Sequence, residues 1–576
     1  VSGPAPRRTG SNLVAAGILA SRVAGVVREQ ALYFAFGLTG VADAFRAAMR
    51  IPNLLQNLLG EGALSASFIP VYARLVEAGD EREASRLAGA VASLLVVVTA
   101  LLVLAGVLLA EPLVRLLTDF ERDRDWVGLA EVVAGASGVE VAGGPVDRFG
   151  LAVELTRVTT VGLGFLVLSA WCLGVLNSHR RFFLSYVAPV VWNVAQVAVV
   201  VLVVLLGWGL ADVAVAAAWA VVAGSVAQLA VQLPAVLRLA PHLRPGLART
   251  PGLDEVLARF GPAVGGRGVV QISSYVDTVL ATFLVTGALA AFTLALPLYL
   301  LPISVFGFSV AAAELAEMSR SGADRGRVEA RLTGGLRRTA LAAGFVTAAY
   351  LAASGPVVGA LYTWLPGVVG RGPTSPDDTI VLAVILSAFA VGLPAAITAR
   401  VTQNALYAVG DVRGPAVIAA VRLGVAAAAS VVLMLQLDWL FVQDGAVRGW
   451  DDVPHWPPWE RVPEGVRLEP DRPPHLGAAG LALGASMAAW AEWALLRRRL
   501  RLRLRRPARS GWAWPVAVAA VVSALGMAAA QVVPVPRPLD APLVLGIGLA
   551  LYVAALRRLG LPPPRRPRGP RRWPAS

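Results

Sequence analysis

The chain has 576 residues, 57% of them hydrophobic, with a formal net charge of +14. A water-soluble domain of this size is nearer 45–50% apolar, so the composition excludes an ordinary soluble fold. There is no lysine, so all 51 cations are arginine, spread over short segments beside apolar runs; with no nucleic-acid motif among them, this is not the pattern of a nucleic-acid binder.

Apolar runs of about 18 residues or more mark membrane-spanning helices. In chain order they fall at 10–37, 43–73, 86–117, 153–176, 183–206 and 211–237. A second set follows at 255–285, 287–318, 337–364, 379–407, 414–436 and 477–496, and two more runs at 511–532 and 540–558 close the series. The expectation is therefore an all-α polytopic membrane protein of about 14 transmembrane helices. With the N-terminus inside, the arginine-rich segments "HRR" (179–181), "RRRLRLRLRR" (497–506) and the tail from Arg557 all fall on the cytoplasmic side. That is the positive-inside pattern, and it places both termini in the cytoplasm. The first run lacks a clean signal-peptide core and is read as a retained span. The loops 118–152 and 437–476 then lie outside. The second, with Trp439, Trp450, Trp456 and Trp459, reads as an interfacial flap.

An internal echo organises the spans. In "LNSHRRFFLSYVAPVVWN", Asn177 precedes Pro189 much as Asn404 precedes Pro415 in "TQNALYAVGDVRGPAV". Pro52 and Pro302 each lie in the second helix of a set of six. Two six-helix lobes are expected, at 1–237 and 238–500, followed by residues 501–576 with two additional helices and a basic tail. Repeats of this kind are the usual skeleton of secondary transporters, with the site near mid-membrane.

Charges within the spans point to that site. In the second run Asp43, Arg46, Arg50 and Glu61 fall within about 60° of one another around a helix. The first run adds Arg22, Arg28 and Glu29, and the seventh adds Arg267 and Asp277 after the breaker "GPAVGG" (261–266), whose freed amides would be further donors. Charges cost several kcal/mol in a bilayer, so such a concentration marks a hydrated cavity. Five arginines face four carboxylates, and arginine forks match phosphate oxygens bidentately, so an anionic headgroup suits the cavity. Cys172 is alone and the four histidines lack ligand spacing, so neither a disulfide nor a metal site is expected. No acid–base constellation for an enzyme is visible. A phosphate-binding loop needs lysine, so no nucleotide cofactor is expected, and the driving energy would come from a coupling ion or the membrane potential.

The stretch "SRVAGVVREQALYFAFGLTGVADAFRAAMRIPNLLQNLLGEGALSASFIPVYARL" (21–75) resembles the opening of the MurJ/MviN family. The likeness continues in "GVLNSHRRF" (174–182), "APVVWN" (188–193), "VDTVLATFL" (276–284), "LPISVFG" (301–307) and "LYAVGDVRGP" (406–415). The family comprises lipid II flippases in the multidrug/oligosaccharidyl-lipid/polysaccharide exporter superfamily. The resemblance implies transfer of a polyprenyl-pyrophosphate-linked saccharide across the bacterial inner membrane, with membrane lipids as surroundings. It assigns headgroup-binding roles to Arg22, Arg28, Asp43 and Arg50. The chain departs from the family where cations are expected: Gln56 and Asn57 follow Leu54–Leu55, Pro297 precedes "LYLLP", and Asn404 precedes "ALY". Arg46 adds one cation where the family tends to be aromatic. These departures keep another lipid-linked saccharide, an amphipathic solute, or an inactive membrane scaffold as alternatives.

Overall fold

A computed structural model describes residues 8–120, 147–246, 251–308, 310–311, 325–363, 375–411, 413–450, 459–467, 472–503, 512–532 and 537–561. Most of loop 118–152, part of the flap with Trp456, and the tail beyond 561 lie outside them. Among the described residues the fold is helical apart from one hairpin, β1 (Phe441–Gln443) and β2 (Ala446–Arg448), inside the expected flap. Contacts divide the chain into two units. Val1–Ala290 with Glu464–Arg472 falls in the first, and most of the remainder in the second.

Unit 1 begins with α1 (Arg8–Phe36), α2 (Gly40–Ala48), α3 (Arg50–Leu59) and α4 (Glu61–Glu77). The single span expected at 43–73 is thus three helices. Pro52 has no N–H to offer and its ring crowds the carbonyl of residue 48, so helix α2 stops there and α3 restarts at Arg50. Thr39 caps α2 by accepting from the Ala42 amide at 3.4 Å. Then come α5 (Glu81–Leu108), α6 (Ala110–Leu117), α7 (Arg148–Ser178), α8 (Phe182–Leu205), α9 (Leu210–Leu239) and α10 (Pro251–Thr282). Phe68, Tyr72, Leu87, Trp171 and Val175 form one core where α4, α5 and α7 meet. Helix α10 belongs here through its contacts with α3, α4 and α5, although the sequence groups it with the second set of spans. It also runs unbroken through "GPAVGG", so the expected break with free amides at 261–266 is not formed. Glycine costs a helix about 1 kcal/mol, whereas an unsatisfied backbone group in lipid costs several.

Unit 2 takes in most of α11 (Ala288–Pro302), which continues as a π-helical turn to Phe308. It continues with α12 (Arg325–Ala352), α13 (Ser354–Val358), α14 (Pro376–Ala408), α15 (Arg413–Leu437), α17 (Gly477–Arg503), α18 (Ala513–Ala530) and α19 (Arg537–Arg558). The short α16 (Glu464–Arg467) is part of unit 1. In unit 1, α9 packs across both α7 and α8; in unit 2, α17 packs likewise across α14 and α15. The second trio closes tightly. A Cβ on Gly484 would meet the Ser430 backbone nitrogen at 2.6 Å, so only glycine admits this helix approach.

Ten helices among the described residues are long and apolar enough to cross a membrane. A pair bent by 88°, Glu329–Ala352 with Ser354–Tyr362, makes eleven if taken as one span. The expected fourteen is not reached by this measure for a physical reason. Helices α1 and α10 are long enough, at 29 and 32 residues, but carry charge, and the second span is broken.

At the turn between α7 and α8, the Tyr72 hydroxyl meets His179 Nε2 at 3.1 Å. Burial lowers the His179 pKa below its ordinary value of 6.5, opposed by Glu81 and aided by Arg181. The folded state therefore disfavours the imidazolium that an unfolded chain forms below 6.5. Thermal stability in detergent should be fully present above that value and fall as the pH drops below it, and His179→Gln should flatten that part of the profile.

Candidate functional site

The site in unit 1 is assembled by α1 and α2. Glu29, buried at 8% exposure, lies between two guanidinium groups. Arg28 donates from Nη2 to Glu29 Oε1 at 2.6 Å, and Arg46 Nη1 pairs with Oε2, also at 2.6 Å. Two cations on one carboxylate leave a net charge of +1. The arginine side chains keep 21% and 15% of their surface, so both remain reachable while Glu29 is not. Trp192 on α8 lies 4.8 Å beneath the Arg28 guanidinium and fixes its plane. Arg28 Nε is buried without a hydrogen-bond partner. The cluster thus holds two partly exposed guanidinium groups on one buried carboxylate.

Asp43, one helical turn before Arg46, is the neighbour that spacing alone pairs with it. Its carboxylate is engaged elsewhere. At 2% exposure it accepts from the backbone amides of Gly287 at 2.7 Å and Ala290 at 2.8 Å, and from Arg148 Nη1 at 3.5 Å. A carboxylate here satisfies first-turn amides that the helix itself leaves open. Arg148, also 2% exposed, stacks over Phe120 at 4.6 Å. The sequence did not single out Arg148, because it precedes an apolar run and reads as a loop residue.

The other expected residues are spread around this centre. Arg22 is exposed on α1, one turn and a half before Arg28. Arg50 is partly buried, its carbonyl accepts from the Tyr275 hydroxyl at 2.6 Å, and the charge of Asp277 reaches it. A void of about 10 Å³ beside Arg50 and Thr278 has room for one water. Asn57 is exposed on α3. Glu61 opens α4 and Arg267 lies on α10, with side chains outside the described set. The structure therefore joins Arg28, Glu29 and Arg46 directly, and separates Asp43 from them.

Unit 2 holds a second charged cluster. Glu492 on α17 meets Arg400 of α14 at 3.2 Å and Arg422 of α15 at 3.4 Å. The available signal was a charge within each of three apolar runs. Nearby, the unit contains a largely apolar cavity of about 400 Å³ among α12, α14, α17 and α18. Trp490, Trp493 and Trp512 line it, and Arg497 stacks over Trp493 at 5.0 Å. Among the described residues, no group of three or more His, Cys, Asp or Glu is placed to hold a metal.

The profile of a family described as Lipid II flippase MurJ matches residues 33–441. The "Lipid II flippase MurJ" of Burkholderia cenocepacia is 31% identical over 408 residues, covering 70% of this chain and 73% of that protein. The "Probable lipid II flippase MurJ" of Rhizobium meliloti is 29% identical, covering 73% of each. Among solved structures, "Lipid II flippase MurJ, inward closed conformation" superposes with a TM-score of 0.67 at 18% identity, covering 95% of this chain and 99% of that one. An inward-facing multidrug resistance MATE family transporter of the MOP superfamily follows at 0.56 and 15% identity, covering 84% of this chain and 94% of that one. At these identities the superpositions speak for the fold.

Proposed function

Because this chain belongs to the lipid II flippase MurJ family, we propose that it carries lipid II from the inner to the outer leaflet of the bacterial cytoplasmic membrane by alternating access. The observation that carries the reading is the Arg28–Glu29–Arg46 cluster, cationic, braced and reachable. A pyrophosphate offers several oxygens to two guanidinium groups, which bind it by charge-assisted hydrogen bonds. Glu29 holds the forks apart from other partners. Asp43 acts through the backbone, fixing the 287–290 turn. In this reading Arg22 and Arg50 extend the positive surface, with Asn57 and Asp277 beside it, while Glu61 and Arg267 are assigned to it from the sequence alone. The membrane potential or an ion gradient supplies the driving energy, and the two lobes with both termini cytoplasmic supply the framework.

Asn57, Pro297 and Asn404 stand where cations are expected, and this favours a second reading, a related lipid-linked saccharide. Arg46 lies eleven residues from Asn57, so it does not restore that position. It supplies instead a second fork at Arg28. Lipid II co-purification, read by mass spectrometry, separates the readings. Wild type should retain lipid II, and Asn57→Arg should retain more, by up to one or two powers of ten in affinity. If neither variant nor wild type retains it, another headgroup is the substrate.

Topology has its own test. In a Cys172→Ser background, single cysteines within 437–476 should label from outside. Those within 497–510 should label only after permeabilisation. Labelling of both from one side would overturn the cytoplasmic placement of the termini.

A further inference from the structure

In unit 1, α7, α8 and α9 line an open groove of about 920 Å³. Its outer end carries Glu154 of α7, Trp208 and Asp212, and it runs inward along α9 past Trp219 to Ala223, with Val203 of α8 opposite. Trp208 and Trp219 are 52% and 54% exposed, and both carboxylates are exposed as well. From Asp212 to Ala223 the helix rises about 16 Å at 1.5 Å per residue. That is close to one leaflet, half of a hydrocarbon core about 30 Å thick.

We propose that this groove binds one phospholipid with an amine-bearing, zwitterionic headgroup, its chain along α9 and its ammonium between Glu154 and Asp212. Length and charge select this occupant. A transmembrane helix of another protein needs both leaflets, about 30 Å, and the groove offers one. An anionic lipid such as phosphatidylglycerol would place its phosphate equally close to Arg157, but its uncharged glycerol headgroup would leave the two carboxylates without a cation. The amine of a zwitterionic lipid instead meets opposite charge, and the exposed indole of Trp208 offers its face to the same cation. Arg157, exposed one turn further in on α7, is spaced to meet the phosphate below the amine. With the N-terminus cytoplasmic, as the arginine distribution places it, the groove opens to the outer leaflet. Tryptophan at its mouth fits the interfacial belt. Binding there would brace α7, α8 and α9, the trio against which α1 and α2 pack.

The test is native mass spectrometry of the full chain equilibrated in mixed micelles with equal amounts of phosphatidylethanolamine and phosphatidylglycerol of identical chains. Wild type should retain one phosphatidylethanolamine that Glu154→Gln/Asp212→Asn loses, a change of roughly tenfold in occupancy. Trp219→Ala should weaken retention at that site without inverting the headgroup preference. Cationic sites elsewhere hold phosphatidylglycerol equally in all three proteins, so the difference between variants isolates the groove. Unchanged phosphatidylethanolamine retention in the double variant would overturn the proposal, as would a gain of phosphatidylglycerol over phosphatidylethanolamine at this site in wild type. Failure to retain either lipid would also overturn it and point to a protein partner. None of these outcomes depends on whether lipid II is the transported substrate.

Discussion

Arg28→Ala should abolish flipping while leaving the protein folded in the membrane. Arg28 is the most constrained cation of the cluster, bonded to Glu29 at 2.6 Å and stacked on Trp192 at 4.8 Å. Removing it deletes one phosphate-binding fork, roughly 1.5–3 kcal/mol of charge-assisted bonding, and leaves Glu29 balanced by Arg46 alone. The cluster then falls from +1 to neutral and loses its attraction for an anion. Its fold should survive, because Glu29 retains a partner and the removed side chain is partly accessible. Arg28→Lys keeps the charge but not the planar fork, so it should recover little. The check is flipping at matched membrane abundance. Normal activity of Arg28→Ala would remove the cluster from the transport site.

Asp43→Ala should have an effect of comparable size by a different route, loss of the folded protein. Its carboxylate satisfies the Gly287 and Ala290 amides and faces Arg148, and both residues are 2% exposed. Removing one member of a buried ion pair costs about 3–5 kcal/mol, because the remaining charge is left uncompensated. Two amides in a water-poor setting lose their acceptor as well. Melting temperature and abundance should both fall sharply. Asp43→Ala/Arg148→Met should recover part of the loss, because the second change removes the buried cation that faced Asp43, while the two amides still lack the Asp43 acceptor. If Asp43→Ala melts like wild type and only binding suffers, the carboxylate belongs to the headgroup site and not to the backbone.

The membrane class and the family were legible because each rests on a long pattern. Apolar runs, arginine asymmetry and the 21–75 motif all survive local irregularity. The three-piece second span was less legible: Pro52 announces a break, but a helix register drawn straight through it aligned Asp43, Arg46, Arg50 and Glu61 on one stripe. The helix is interrupted at Met49 and again at Gly60, so one continuous stripe no longer follows from the spacing. Arg46 shows the consequence most clearly. Spacing assigns it to Asp43, one turn away, whereas tertiary packing brings Glu29 of α1 to it and turns Asp43 toward the 287–290 backbone. Partners separated by many residues leave no periodic trace, and for the same reason Arg148, Trp192 and the Arg400–Glu492–Arg422 cluster were not foreseen as groups. The unbroken α10 is the opposite case. A glycine-rich string suggests a breaker in water, but lipid enforces the helix.

The most direct measurement is the amount of outer-leaflet lipid II in a flippase-depleted bacterium carrying this chain or its Arg46→Ala variant at equal membrane abundance. Wild type should restore outer-leaflet lipid II and growth. Arg46→Ala, which keeps Arg28 and Glu29 but loses the second fork, should fall to roughly a tenth or less of that level. Outer-leaflet lipid II equal in the two, or absent in cells carrying wild type, would contradict the assignment of lipid II to the paired arginines.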